Sequence, residues 1–186
     1  MNATLRVINK LVEDGIIRSY AIAGAVGALY YLEPVATADL DILISVDEMK
    51  QPKSGLVTIE PILAYLRKAG YADFKDEGVL IEGWPVQFLP VASDLDAEGL
   101  DKAIEFEMPD EPPIKVRVLR AEHLVAIALK VGRDKDYVRI GTFLDQEKVD
   151  LQSLADICDR YRLWDAWARF CRRAGIIDPV ILRLRR

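Results

Sequence analysis

Two carboxylates stand at the start of an otherwise apolar segment, DLDILI, at Asp39 and Asp41. Alternate side chains of a β-strand point to opposite faces, so Leu40, Ile42 and Ile44 predict a core face and the two aspartates share the other. Their side chains would lie about 6–7 Å apart, where like charges repel by about 2–3 kcal/mol at an effective dielectric constant near 20. A partly enclosed pair therefore needs a cation, a basic partner or a carboxyl group that keeps its proton. Mg²⁺ prefers such oxygen ligands.

The segment before the two aspartates adds an anion site. Gly24 follows a predicted strand and precedes a predicted helix, and such a turn lets backbone approach a ligand while the helix N-terminus favours phosphate. The combination indicates a nucleoside triphosphate bound with its magnesium. The alternatives are that the aspartates are ordinary solvent-facing residues at a strand end, and that Gly24 and Gly27 serve a tight turn and close helix–sheet packing.

Composition indicates a globular chain. It has 186 residues, 51% hydrophobic and 30% charged, and no apolar run of membrane-spanning length, so we expect no contact with a membrane. The N-terminal residues have helical spacing rather than a secretory pattern. Two cysteines, Cys158 and Cys171, make no disulfide framework and favour a reduced, cytoplasmic setting. The single His123 argues against a zinc site.

Charge is unevenly distributed along the chain. Residues 157–186 carry eight arginines and three aspartates, a net charge of +5, whereas the rest of the chain carries a net charge of −10. A basic tail on an acidic body is compatible with contact to RNA or another anion. The alternative is that these arginines are solvated on the outer faces of terminal helices.

Hydrophobic periodicity predicts a mixed α/β half, residues 1–120, followed by a helical half, residues 121–186. After Ala121 every segment has helical periodicity and no strand pattern appears. In the first half we expect helices over 3–14, 25–32, 58–69 and 94–104, the second of them stopped by Pro34, and strands over 20–23, 40–46, 79–81, 86–91 and 115–119, with a turn at 83–85. The predicted fold class is α+β: a small mixed sheet flanked by helices, followed by a C-terminal helical subdomain.

These features resemble the polymerase-beta-like nucleotidyltransferases. That superfamily shows a strand, a Gly-Gly or Gly-Ser pair, a helix, and then Thr/Ser-x-Asp-x-Asp opening a strand. Here the pattern stands as Gly24-Ala25 followed by Thr37-Ala38-Asp39-Leu40-Asp41. A second stretch, AEHLVAIALKVGRDKDYVRIGTFLDQ, is similar to the helical block of small bacterial members related to abortive-infection toxins, with Lys130 and then Lys135-Asp136 at the matching positions.

The resemblance implies a magnesium-dependent transfer of a nucleoside monophosphate from a triphosphate, with ATP as the expected donor, to a hydroxyl group on RNA or protein. Asp39 and Asp41 would bind two metal ions, and Lys130 would neutralise phosphate charge. The remaining nucleotide-binding positions would be Gly24, Ala25, Thr37, Lys135 and Asp136. The family setting implies toxin–antitoxin or phage-defence systems, with an antitoxin as a partner protein.

Three departures from the family pattern qualify this expectation. Ala25 stands where the family has a second Gly or Ser, and Val35 where it often has an Arg. The third catalytic carboxylate maps to Gln87 in PVQFLPV, and an amide cannot accept a proton at neutral pH. Loss of a general base typically costs ~10²–10⁴-fold in rate. Either Glu82 or the more remote Asp94 substitutes for it, or the chain is a degenerate, non-catalytic relative that binds nucleotide or regulates a partner.

Several other residues are better interpreted as packing. We expect Trp164 and Trp167 to pack between the terminal helices and the two cysteines to be small buried groups. Tyr30 and Tyr31, after the Gly24 turn, are candidates either for the core or for the wall of a cleft.

Overall fold

A computed structural model describes residues 1–33, 37, 39–46 and 58–179. The chain forms two compact units: Met1–Gly27 with Ala36–Leu119, and Ala28–Val35 with Arg120–Arg186. The predicted roles of Val35 and of Pro34, together with Ala38 of the motif, lie outside the described residues.

The first unit is built from strands and helices, and the second from helices. The first contains α1 (Asn2–Glu13), β1 (Ser19–Ile22), α2 (Gly24–Ala28, whose last residue belongs to the second unit), β2 (Leu40–Ser45), α3 (Glu60–Lys68), β3 (Phe74–Lys75), β4 (Gly78–Ile81), β5 (Trp84–Pro90), α4 (Asp94–Asp101), β6 (Ile104–Met108) and β7 (Ile114–Val118). The second contains α5 (Ala121–Val131), α6 (Asp134–Asp145), α7 (Leu151–Tyr161) and α8 (Trp164–Ala174).

The strands form one seven-stranded mixed sheet in the order β3-β4-β5-β2-β1-β7-β6. β2 pairs with β5, and β1 with β7, in parallel; the other neighbours are antiparallel. Helices flank the sheet, so the predicted α+β class with a mixed sheet is confirmed.

One face of the central strands is wholly apolar. Leu40, Ile42 and Ile44 of β2 are fully buried, and the register sets Ile42 beside Ile22 on β1. Helix α1 covers this face, since Asn9 accepts a hydrogen bond at 2.6 Å from the hydroxyl of Tyr20, which lies on the same side of β1 as Ile22. The predicted core face of DLDILI is therefore correct.

Helix α4 covers part of the opposite face, packing against β1 and β2. Arg117 on β7 points to this opposite face, because it alternates with the buried Val116 and Val118. It donates a hydrogen bond at 2.8 Å to the carbonyl of Leu100 in α4. Leu43 is buried on this face, whereas Asp41 on the same strand is only half-buried. The aspartate thus stands at the more open, amino-terminal end of a face that is otherwise closed.

Some predicted elements have different bounds in the structure. The predicted helix over 94–104 ends at Asp101, and the alternating residues IEFEM form the edge strand β6. The predicted turn at 83–85 is a two-residue hairpin loop at Glu82 and Gly83, both with positive φ, so Trp84 already pairs with Ile81. The helix predicted over 25–32 is the five-residue α2, and β3 was not predicted.

The second unit buries an aromatic core. Trp167 and Phe170 of α8 lie with ring centroids 5.5 Å apart, which confirms Trp167 as a packing residue; Trp164 is half-buried and donates to Asp159. Tyr31 packs at 6.1 Å on Phe143, and burial, with the nearby Glu122 carboxylate, raises the pKa of Tyr31 to about 12. Tyr31 is accordingly a neutral packing residue.

Both cysteines are buried in this unit. Burial, with nearby carboxylates, raises the pKa of Cys158 to about 12 and that of Cys171 to about 11. Because the thiolate is the reactive form, neither thiol is a nucleophile at neutral pH. Within the described parts of the chain, no helix has the length and apolar character needed to cross a membrane.

Helix α6 begins with a buried carboxylate. Asp136 is 1% exposed, accepts the backbone N–H of Arg133 at 3.1 Å and the Arg133 Nε–H at 2.8 Å, and contacts Arg139 at 3.4 Å. It satisfies an amide that the helix start leaves without an intrahelical partner. This network holds the first turn of α6 in place.

We expect Asp136→Ala to lower the free energy of unfolding by about 2–4 kcal/mol, because it removes the cap and leaves the arginines without their buried partner. Asp134→Ala is the matched control: Asp134 lies in the same helical turn but its side chain is 81% exposed, so we expect a change within about 0.5 kcal/mol. Urea unfolding followed by circular dichroism measures both. Equal losses in the two variants would contradict the buried-cap interpretation.

Candidate active site

Gly24 and Asp41 occupy adjoining space at the ends of β1 and β2. Gly24 has φ +57°, and a Cβ added to it would overlap Oδ2 of Asp41 and lie 2.8 Å from its Cγ. The backbone also joins the two segments, because the N–H of Ala23 donates to the Asp41 carbonyl at 2.9 Å. Only a residue without a side chain leaves the Asp41 carboxylate in this position.

The turn after Gly24 begins the short helix α2. The N–H of Gly27 donates to the Ala23 carbonyl at 2.8 Å, closing the first turn of α2. The amides of Gly24, Ala25 and Val26 precede that bond and make none within the helix. Since α2 has only five residues, the helix dipole contributes little, and any anion bound here would depend on these individual N–H groups.

Asp39 lies just before β2, on the exposed surface. Its Oδ1 lies 3.3 Å from the hydroxyl of Thr37, which can donate to it. The two residues of the motif are therefore in direct contact, next to the strand that carries Asp41. The sequence prediction that Thr37 contacts phosphate stays a prediction.

Gln87 lies directly beside Asp41. The parallel register pairs Asp41 of β2 with Gln87 of β5, and the buried Val86 and Phe88 take the opposite face. Side chains of residues paired in this way point to the same side of a sheet, on strands about 4.8 Å apart. Gln87 thus occupies the strand position to which the family resemblance assigned the third carboxylate.

A carboxylate that sequence reasoning missed reaches this position from the neighbouring hairpin. Gln87 donates a hydrogen bond from Nε2 to Oε2 of Glu77 at 2.8 Å. Glu77 lies in the turn between β3 and β4, and β3 has only two residues. The one signal in the sequence is the turn-forming Asp76-Glu77-Gly78 before the apolar Val79.

The two candidates proposed from sequence for the missing carboxylate lie elsewhere. Glu82 lies in the β4–β5 turn, before the start of β5. Trp84, the first residue of β5, is already about 10 Å along the strand from Gln87, and Glu82 lies beyond it. Its carboxylate accepts the Tyr71 hydroxyl at 2.5 Å, and this hydrogen bond raises the pKa of Tyr71. Asp94 begins α4 after the end of β5, whereas Asp41 lies at the beginning of β2. Because β2 and β5 are parallel, the two aspartates lie toward opposite ends of this strand pair.

The remaining predicted positions belong to the second unit. Lys130 is exposed in the last turn of α5, where its charge complements the helix dipole, and Lys135 is exposed in the first turn of α6. Asp136 is the buried cap described above. Their roles in nucleotide binding stay predictions.

The donor set fits a magnesium ion that arrives with its nucleotide. Mg²⁺ is commonly held by one or two carboxylates together with water and substrate phosphates, and Asp39 and Asp41 are the carboxylates that would hold it here. In the described part of the chain, no three histidine, cysteine, aspartate or glutamate side chains form a group that could hold a metal ion. The site therefore lacks the protein ligands of a metal cage.

Comparison with known proteins gives a likeness in fold. Neither the known protein families nor the curated proteins give a match to the sequence. Among solved structures, the chain is similar to an antigenic nucleotidyltransferase-like protein from Paracoccidioides brasiliensis, with a TM-score of 0.53 and 18% identity, covering 89% of this chain and 90% of that one. The protein thus has a nucleotidyltransferase-like fold.

Proposed function

We propose that this protein is a magnesium-dependent nucleotidyltransferase that moves a nucleoside monophosphate from a triphosphate to a hydroxyl group. The observation that carries the proposal is the contact between the Asp41 carboxylate and the Gly24 turn, on a nucleotidyltransferase-like fold. It sets a carboxylate for a cation next to backbone amides for phosphate, and a metal–triphosphate complex needs both.

Each residue has a distinct role in this proposal. The amides of Gly24 and Ala25 bind phosphate oxygens, while Asp39 and Asp41 hold Mg²⁺. When bound, Mg²⁺ stabilises charge on the attacking and leaving oxygens of the displacement. Thr37 is a supporting position, while the family resemblance assigns Lys130, Lys135 and Asp136 to nucleotide binding, and these three roles stay predictions.

The donor and acceptor follow from the family resemblance. ATP is the donor to test first, and the acceptor is a hydroxyl on RNA or protein. A cytoplasmic toxin–antitoxin or phage-defence setting, with an antitoxin as partner, belongs to the same proposal. The arginines of the C-terminal region carry the charge that an RNA acceptor would require.

One observation favours a second candidate function. Gln87 stands beside Asp41 where a catalytic carboxylate is expected, and its amide cannot accept a proton. A protein with this site would bind the nucleotide without turning it over and would act as a nucleotide-dependent regulatory partner. Binding and transfer therefore have to be measured separately.

We expect MgATP to raise the melting temperature of the wild-type protein by about 5–10 °C at a hundredfold excess over Kd, since a ligand of the native state stabilises it by about 2.7 kcal/mol. Asp41→Asn should abolish this rise by removing the metal ligand. Asp101→Asn, an exposed aspartate at the end of α4, is the control and should retain it. A rise that persists in Asp41→Asn would count against the site.

Transfer is tested with the same proteins. Triphosphates labelled at the α-phosphate are incubated with total RNA and, separately, with total protein in the presence of Mg²⁺. We expect label in one of the two pools with wild type and none with Asp39→Asn/Asp41→Asn. A melting-temperature rise without any transfer would favour the regulatory candidate. If MgATP causes no rise and no label is transferred, both candidate functions are refuted.

Gly24→Ala should abolish the MgATP-dependent rise, because the added Cβ takes the space of the Asp41 carboxylate. Gly175→Ala is the matched control: Gly175 has a similar φ of +65° and nothing within 4 Å of an added Cβ. Both variants should lose about 1–2 kcal/mol of stability from an alanine in the left-handed region. If Gly24→Ala responds to MgATP like Gly175→Ala, the contact has no role in binding.

A further inference from the structure

The amide of Gln87 is oriented by the carboxylate it contacts. A carboxylate only accepts hydrogen bonds, so the group 2.8 Å from Oε2 of Glu77 must be the Nε2 donor and not the amide oxygen. The side chain of Gln87 therefore holds Glu77 and is not itself an acceptor at this contact. This assigns Gln87 a positioning role.

The backbone brings Glu77 close to β5. A Cβ added to Gly78, the next residue, would lie 2.9 Å from the backbone nitrogen of Val86 and 3.1 Å from Pro85. Such a close approach of β4 to β5 needs glycine. Glu77 is thereby carried by the turn that enters β4, one residue before this contact.

The register then relates Glu77 to Asp41. Asp41 and Gln87 are neighbours on the same side of the sheet, and Glu77 is the hydrogen-bond partner of Gln87. Glu77 is thus one side chain removed from the aspartate proposed to hold the metal. Its own side chain is exposed, so an acceptor molecule can reach it.

We propose that Glu77, positioned by Gln87, is the catalytic base of this transferase; the inference rests on the function proposed above. Gln87 occupies the strand position of the expected carboxylate, and Glu77 supplies the carboxylate that Gln87 lacks. Oε2 of Glu77 accepts the Gln87 amide. Oε1 receives no hydrogen bond from any protein group in the described residues and is the atom that takes the proton.

The proposed step balances without any other reactant. Oε1 of Glu77 takes the proton of the acceptor hydroxyl as the hydroxyl oxygen forms its bond to the α-phosphorus. The bond between the α-phosphorus and the oxygen bridging to the β-phosphate breaks, and pyrophosphate leaves with that electron pair. Glu77 then returns the proton to solvent.

The test separates the chemical step from binding. We expect Glu77→Gln to lower kcat for transfer of labelled AMP from ATP by ~10²–10⁴-fold, as for loss of a general base. The MgATP-dependent rise in melting temperature should stay as in wild type, because Glu77 acts on the acceptor and not on the nucleotide.

A double variant exchanges the two groups. Glu77→Gln/Gln87→Glu keeps an amide and a carboxylate in hydrogen-bond contact but moves the carboxylate onto β5, beside Asp41. We expect it to regain activity to within about tenfold of wild type. Glu105→Gln, an exposed glutamate on the edge strand β6, is the control and should change the rate less than twofold.

The outcomes distinguish this inference from the function on which it rests. If wild type transfers label and Glu77→Gln transfers it equally well, Glu77 is not the base and the transferase proposal stands. The same holds if Glu82→Gln, rather than Glu77→Gln, loses activity. If wild type transfers no label to RNA or protein, the proposed function fails and this inference fails with it.

Discussion

The site depends on one steric constraint. The Asp41 carboxylate occupies the space that a side chain at position 24 would take. Gly24 satisfies this constraint twice, because it has no Cβ and because it accepts a φ of +57°. The turn can then leave β1 tightly enough for α2 to begin at once. The Asp41 carboxylate and the first amides of α2 come together as a consequence.

The pairing of β2 with β5 extends this arrangement across the sheet. A parallel register sets one residue of each strand side by side, so the position of Asp41 determines that Gln87 is its neighbour. A shift by one residue would bring a core residue of β5 to this face, and the burial of Val86 and Phe88 opposes such a shift. The same apolar residues that form the core therefore fix the polar neighbours of Asp41.

Sequence reasoning succeeded where periodicity was strong and failed where contacts were distant. The face of β2 and the orientation of Gln87 follow from alternation over several residues, whereas the mixed sheet was expected from the family resemblance. The two-residue β3 is too short to give a periodic signal, so the hairpin that carries Glu77 could not be anticipated. Nothing local indicates that Tyr31 packs on Phe143, more than a hundred residues later.

The amide of Gln87 also affects the electrostatics of the site. A carboxylate on β5, about 4.8 Å from Asp41, would repel it by about 3–4 kcal/mol at an effective dielectric constant near 20. Gln87 removes this repulsion, and its amide attracts Glu77 to the outer side of the pair. The site keeps a second carboxylate, that of Glu77, but this charge lies one side chain further from Asp41 than a carboxylate at position 87 would. Such an arrangement lets the acidic groups fold close together without a cation between them.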